Sequence, residues 1–230
     1  MLSNLQGEPL GSNLYVYCLN NPVMNSDPTG EWYYSLSDFY YQNFIKKRIN
    51  NRYGYTAFVY KTISAQYYYN RKKLGNFTDY IYDQYNKKVA YLKFSSAIIK
   101  NVGCETIAIY NIMKLIGKYQ YYPDIINECY MNGLDWVSGH LGIWPKNLRR
   151  YFNAHYVKYT FYTNKKLFFS KINSSKFGII SYWNGKPYIS SLHTIAYKKI
   201  GNKYYFFNSD GRYNTIDKIK GRIFICGYIF

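Results

Sequence analysis

The pattern of apolar and polar residues divides the 230-residue chain into an early stretch of weak periodicity, a middle stretch of helices and a final stretch of strands. In the middle stretch, apolar residues recur at helical spacing, and glycine or proline stands where each run starts or stops. This pattern predicts helices from Cys104 to Gly117, from Pro123 to about Gly133, and from Pro145 through Phe152.

The final stretch contains short runs rich in β-branched and aromatic residues, which is typical of strands. The predicted strands are Tyr156–Tyr162, Phe177–Trp183, Leu192–Ile200, Lys203–Ser209 and Arg222–Ile229. Three pairs between them have the composition of hairpin turns: Asn184-Gly185, Gly201-Asn202 and Asp210-Gly211. Helices followed by antiparallel strands are the order of an α+β domain, which we place at residues 89–230.

Residues 31–88 are rich in tyrosine and basic residues, and their helical periodicity is weak. The residues that carry this periodicity are Phe39, Ile45, Ile49, Tyr80, Tyr82 and Tyr85. We interpret the stretch as a helical lead-in or linker. Its basic clusters, Lys46-Lys47-Arg48 and Arg71-Lys72-Lys73, are more typical of solvated faces than of a nucleic-acid contact.

The charge of the chain is strongly positive, with 30 basic and 12 acidic residues and a formal net charge of +18. Such a surface attracts nucleic acid, anionic membranes or acidic proteins. We give nucleic acid less weight, because the 32 tyrosines and the abundant Lys, Asn, Ile and Phe are also what an AT-rich coding sequence would produce. An acidic protein partner is the expectation that we keep.

Several classes of protein are disfavoured by the sequence. No apolar run approaches the length of about 20 residues that spans a bilayer, and the first residues lack the basic and apolar regions of a secretion signal. The four cysteines, Cys18, Cys104, Cys129 and Cys226, show no paired spacing, which argues against a zinc site and a disulfide scaffold. We expect neither a metal nor another cofactor.

Cys104 is the first candidate for chemistry because it stands where a loop enters a helix. Unpaired N–H groups and the helix dipole stabilise a thiolate at that position, and they can lower a cysteine pKa from about 8.5 to roughly 3.5–7.5. The sequence therefore predicts an acidic, nucleophilic thiol. The alternative is a buried packing residue, which is common for free cysteine and is our interpretation of Cys129 and Cys226.

His193 is the best-placed base for such a nucleophile. In a hairpin turning at Gly201-Asn202, paired residue numbers sum to about 403, which puts His193 opposite Asp210 and diagonally near Asn208. Side chains alternate between the faces of a strand, so the three residues are expected to share one face. Taken singly, His193 is equally compatible with a core histidine, and Asn208 with an ordinary turn.

Residues 1–30 resemble the tail of the repeat-associated core of RHS (rearrangement hot spot) and YD-repeat proteins. The positions that match the family signature are Asn13, Leu14, Tyr15, Tyr17, Asn20, Asn21, Pro22, Asp27, Pro28 and Gly30. In that family the motif ends a β-cage, and the chain continues into a variable C-terminal toxin paired with an immunity protein. The resemblance implies a polymorphic toxin of interbacterial competition, delivered by a specialised system without a classical signal peptide and acting in the target-cell cytoplasm.

Residues 95–230 resemble the papain-like fold, especially bacteriocin-leader peptidases and related toxin domains. The resemblance is carried by a Gly-Cys at a helix start, a later His opening a strand and an Asn or Asp ending the next strand. It implies Cys104 as nucleophile, His193 as general base and acid, and Asn208 as the orienting residue, with Asp210 in reserve. Papain-like enzymes usually place a Gln before the cysteine for the oxyanion hole; Asn101 is the nearest amide here.

The sequence supports two functions from different classes. The first is an effector that attacks an amide through a thiolate, as a cysteine protease, a glutamine deamidase or a transglutaminase acting on a protein of the target cell. The second is a basic, metal-independent nuclease that uses a histidine, favoured by the net charge and by tyrosines available for base stacking. The expected partners are the RHS cage in cis and an acidic immunity protein.

Overall fold

The computed structural model describes residues 56–132, 134, 142–185, 192–209 and 215–230, with side chains from residue 65 onward. The chain divides into the units Met1–Lys61 and Thr62–Phe230, and the second unit contains the sheet and the helices packed on it. The RHS-like motif, the predicted periodicity at 39–49, the basic cluster Lys46-Lys47-Arg48 and Cys18 lie outside the described residues.

The helices lie mainly before the sheet in the chain, as predicted. They are α1 (Thr56–Leu74), α2 (Ile99–Val102), α3 (Cys104–Leu115), α4 (Tyr122–Met131), α5 (Leu148–Ala154), α6 (Lys165–Lys171) and α7 (Ile216–Lys220), with 3-10 turns at Pro145–Asn147 and Ile172–Ser174. The predicted helices correspond to α3, α4 and the 3-10 turn that continues into α5. No helix in the described ranges has the length and apolarity needed to cross a membrane.

The helical periodicity proposed for Tyr80, Tyr82 and Tyr85 is wrong, because residues 75–92 form turns and irregular structure. Two side chains in this segment bind the backbone locally: Asp83 Oδ1 accepts the N–H two residues later, and Asn86 Oδ1 does the same. Such local bonds offer the backbone an alternative to helix.

The sheet is antiparallel and five-stranded, in the order β3-β7-β4-β5-β6. Its strands are β3 (Thr160–Tyr162), β4 (Phe177–Trp183), β5 (Leu192–Ile200), β6 (Lys203–Phe207) and β7 (Ile223–Ile229), and a separate small hairpin is formed by β1 (Lys93–Phe94) and β2 (Ala97–Ile98). The protein is therefore an α+β protein with an antiparallel sheet, as predicted.

The predicted hairpin turns have different outcomes. Ile200 pairs with Lys203, which confirms the turn at Gly201-Asn202 and its register. Asn184 and Gly185 lie in the connection between β4 and β5, whose pairing ends at Trp183 and Leu192, the predicted strand bounds. Asp210-Gly211 lies outside the described residues.

The two faces of the sheet are covered by different helices. On one face the buried apolar side chains of α3 pack against residues such as Ile179, Ala196 and Tyr228. On the other face Phe168 of α6 packs against residues such as Ile195. Because α3 is buried along most of its length, its first residues meet the sheet directly.

The segment 75–92 belongs to the same core, so the compact unit begins before the boundary predicted at residue 89. Asn111, in the middle of α3, is fully buried and binds Ile81 through both backbone groups: its Oδ1 accepts the N–H at 3.0 Å and its Nδ2 donates to the carbonyl at 2.8 Å. The Tyr110 hydroxyl donates to the Asp79 carbonyl. These contacts hold the segment against α3.

Replacing Asn111 by Ala is expected to destabilise the protein by about 3 kcal/mol, because it leaves a buried N–H and a buried carbonyl without partners. Urea unfolding followed by circular dichroism measures this change. Asn153→Ala is the control, since Asn153 is exposed and accepts only the Tyr159 hydroxyl in a surface contact. A loss no larger for Asn111→Ala than for the control would contradict the assigned role.

Candidate active site

Cys104 occupies the first position of α3, and a tight turn at Gly103 brings it there from α2. A Cβ on Gly103 would lie 2.4 Å from the Ile99 side chain and 2.7 Å from the Ile99 carbonyl oxygen. Only glycine fits this approach, which explains the Gly-Cys pair in the sequence. The cysteine side chain is nevertheless buried, with 6% exposure.

The Cys104 thiol donates to a carboxylate. Its sulfur lies 3.2 Å from Glu105 Oε2, and the other oxygen, Glu105 Oε1, accepts the Thr194 hydroxyl of β5 at 2.9 Å. The backbone N–H of Ile143 also acts on this carboxyl group and lowers its pKa. Glu105 is 1% exposed, so the contacts form a buried polar cluster between the start of α3 and the sheet.

The predicted acidity of the Cys104 thiol is wrong. Burial raises its pKa well above the ordinary value of 9.0, and the charge and hydrogen bond of Glu105 raise it further. The backbone N–H groups of Thr194 and Glu105 lower the pKa, but these are smaller effects. A helix N-terminus favours a thiolate, whereas desolvation and a like charge disfavour it, and here the second pair of effects is larger.

The Cys104 sulfur lies near Thr194 of β5, beyond the last residue of β6. The Lys199 N–H donates to the Lys176 carbonyl on the β4 side, and N–H directions alternate along a strand, so the Thr194 N–H points to the β6 side. The last residue of β6, Phe207, pairs with Ala196 and therefore leaves Thr194 beyond the strand end. This N–H acts on the nearby Cys104 thiol and lowers its pKa.

His193 is buried and precedes Thr194 in β5, so its side chain starts from the opposite face of the sheet, the face of Ile195 and Tyr182. Its Nε2 lies 2.6 Å from the carbonyl oxygen of Asn208, and its ring contacts Tyr182 edge-on at 5.8 Å between centroids. A carbonyl only accepts hydrogen bonds, so Nε2 carries a proton. The lone pair of the neutral imidazole is then on Nδ1, which is the atom that can act as a base.

Asn208 reaches His193 by a different route from the one predicted. Its carboxamide binds Gln84, with Oδ1 accepting the backbone N–H at 2.9 Å and Nδ2 donating to Oε1 at 3.0 Å, and its backbone carbonyl faces the imidazole. Asn208 has a positive φ of 64°, which asparagine tolerates better than most residues. The residue therefore orients His193 through the main chain.

The remaining predicted residues have different surroundings. Asn101 is exposed in α2, and Asp210 lies outside the described residues. Cys129 and Cys226 are fully buried, as predicted for packing residues, and neither forms a disulfide. Within the described residues, no group of three His, Cys, Asp or Glu side chains is arranged to hold a metal ion.

The sequence did not reveal three residues of this region: Gln84, Glu105 and Thr194. Glu105 was visible only as an acid in the first turn of a helix, where it is ordinarily solvated. Its burial depends on contacts with Thr194 and Ile143, which are distant in sequence. Gln84 lies in the segment that was interpreted as a linker.

Comparisons with known proteins do not identify the chain, since no family model, curated protein or solved structure matches it.

Glu105 is expected to make stability depend on pH. Burial raises its pKa from 4.5 to about 7, so between these values the unfolded chain has lost a proton that the folded protein keeps. Rising pH then favours unfolding by about 3 kcal/mol over this window, and Glu105→Gln removes that contribution. The measurement is urea unfolding from below pH 4.5 to above pH 7. Parallel profiles for the wild type and the variant would refute the expected titration.

Proposed function

We propose that the protein is an effector that attacks an amide through Cys104, with His193 as general base and acid. The observation that carries this proposal is the placement of both residues around Thr194. Glu105 joins the Cys104 thiol to the Thr194 hydroxyl, and His193, the preceding residue of β5, is bonded through Nε2 to the Asn208 carbonyl, which fixes its tautomer. Covalent catalysis also requires the base to reach the nucleophile, so the proposal includes a movement that brings Nδ1 of His193 to the sulfur past the end of β6.

The proposed reaction uses these groups in turn. The thiol turns its proton from Glu105 to Nδ1 of His193 as the sulfur forms a bond to the amide carbon, and the same proton then goes to the departing nitrogen as the C–N bond breaks. The product is a thioester, which water resolves in a protease or deamidase and an amine resolves in a transglutaminase. Because the resting thiol is neutral, proton removal by His193 is part of the reaction.

The wider setting of this proposal is an RHS-type toxin with a papain-like domain. Its support is the match of residues 13–30 to the RHS signature and the order of cysteine, histidine and asparagine along the chain. The α+β architecture, with the cysteine helix against an antiparallel sheet, is compatible with that fold. The proposal includes delivery into the cytoplasm of a target cell and an acidic immunity protein that neutralises the net charge of +18.

A basic nuclease is the second candidate, and one surface favours it. Exposed tyrosines lie beside lysine ammonium groups: Lys93 Nζ is 4.7 Å from the centre of the Tyr69 ring, and Lys73 Nζ is 5.4 Å from that of Tyr91. Aromatic rings with adjacent cations are suited to stacking on single-stranded nucleic acid. This candidate requires no thiol.

Growth of bacteria that express the full chain distinguishes the two candidates. We expect the wild type to arrest growth, and Cys104→Ser and His193→Gln each to restore it, because either change removes proton transfer to or from the sulfur. Cys129→Ser is the matched control, since Cys129 is a buried thiol in α4, and this variant should remain toxic. Continued arrest by Cys104→Ser would exclude the thiolate mechanism and favour the nuclease.

Mass spectrometry of proteins from the arrested cells separates the amide reactions. A protease creates new amino termini, a deamidase converts glutamine to glutamate, and a transglutaminase attaches an amine. Each product should depend on Cys104 and His193 and persist with Cys129→Ser. Circular dichroism of the purified variants checks that the inactive ones are folded.

A further inference from the structure

The carboxylate of Glu105 lies closer to the candidate nucleophile than a thiolate would tolerate. Its Oε2 is 3.2 Å from the Cys104 sulfur, and both side chains are removed from solvent. Two negative charges at such a distance repel strongly, more so where water is excluded. The pair therefore favours states in which at least one partner is neutral.

Glu105 cannot easily turn away from the sulfur, because each side of its carboxyl group is held. Thr194 donates to Oε1 from β5, the Cys104 thiol donates to Oε2, and the Ile143 N–H acts on the carboxyl group from the segment before α5. Thr194 is in turn bonded to the Ser181 hydroxyl of β4 at 2.9 Å. A Cβ on Gly142, whose φ is +69°, would lie 3.2 Å from Oε2, so this segment closes over the carboxyl group.

Titratable groups on α3, β5 and β7 lie around Glu105 and Cys104. On α3 the titratable neighbour is Cys104 itself, on β5 it is His193 beside Thr194, and on β7 it is Cys226. The pKa of Cys226 is raised to about 12, chiefly by burial, so this thiol is neutral. The cations Lys146 and Arg149 act on Cys226 and lower its pKa, and both act less strongly than burial.

We propose that Glu105 is a positioning residue that sets the charge state of Cys104, accepting the thiol proton in a hydrogen bond and holding the sulfur neutral in the resting protein. The carboxylate and the thiolate do not form together, so the pair releases its protons one at a time. The catalytic part of this inference rests on the proposed function. Replacing Glu105 by a neutral side chain makes the nucleophile Cys104 ionise more readily.

The test is the titration of Cys104 in the full chain labelled with isotope at cysteine Cβ, whose chemical shift differs between thiol and thiolate. Cys104→Ser identifies the resonance by its loss. In the wild type we expect the midpoint to lie above that of an ordinary cysteine, about 8.5. In Glu105→Gln we expect about tenfold more thiolate at a given pH below both midpoints, since removing a like charge shifts a pKa by about one unit or more.

Two further variants keep the test decisive. Glu128→Gln is the matched control, because Glu128 lies in α4 and binds His155 Nε2 at 2.7 Å, and it should leave the Cys104 midpoint unchanged. Glu105→Asp keeps the charge but holds it farther from the sulfur, because aspartate is one methylene shorter. The Cys104 midpoint in this variant should therefore fall between those of the wild type and Glu105→Gln. If Glu105→Gln does not fold, Glu105→Asp decides.

An unchanged midpoint in the folded Glu105 variants, or a wild-type midpoint at or below that of ordinary cysteine, overturns the inference. Because the titration needs no substrate, its result is independent of the growth assay. Loss of toxicity in Cys104→Ser together with an unchanged midpoint would leave the proposed function standing without this role for Glu105. A shifted Cys104 midpoint in a protein that is not toxic would support the role of Glu105 and contradict the proposed function.

Discussion

The hydrogen bond between Glu105 and Thr194 is the interaction on which the arrangement of the site depends. It joins the first turn of α3 to β5 through a buried acid, and a buried acid is costly unless its oxygens are satisfied. The Thr194 hydroxyl satisfies one oxygen and the Cys104 thiol the other, so the start of α3 is held against β5. Cys104, one residue earlier, is thereby placed beside the open end of β6.

Local patterns in the sequence were sufficient for much of the fold. The bounds of β4 and β5 agree with the prediction, and Gly201-Asn202 determined the register of the β5–β6 hairpin, because period-two alternation and turn composition are properties of adjacent residues. The segment 75–92 was misjudged because its role is to contact α3, which is distant in sequence.

The neighbourhood of His193 was predictable in its residues but not in its contacts. Hairpin spacing placed Asn208 near His193, yet Asn208 contributes its carbonyl, and the direction of a main-chain group cannot be inferred from residue identity. The acidity of Cys104 was misjudged for a related reason. The helix N-terminus is a local feature, whereas desolvation and the approach of Glu105 are set by the packed structure.

The contacts of residues 75–92 bear on how this protein is cut into fragments for expression or crystallisation. A fragment that starts at residue 89 would lack Ile81, which satisfies the buried amide of Asn111, and Gln84, which holds the carboxamide of Asn208. In this fragment the Asn111 amide would be buried without its partner. Asn208, whose carbonyl binds His193, would lose the contact that holds its side chain. A shortened gene product should therefore retain the chain from Thr62 onward, where the compact unit begins.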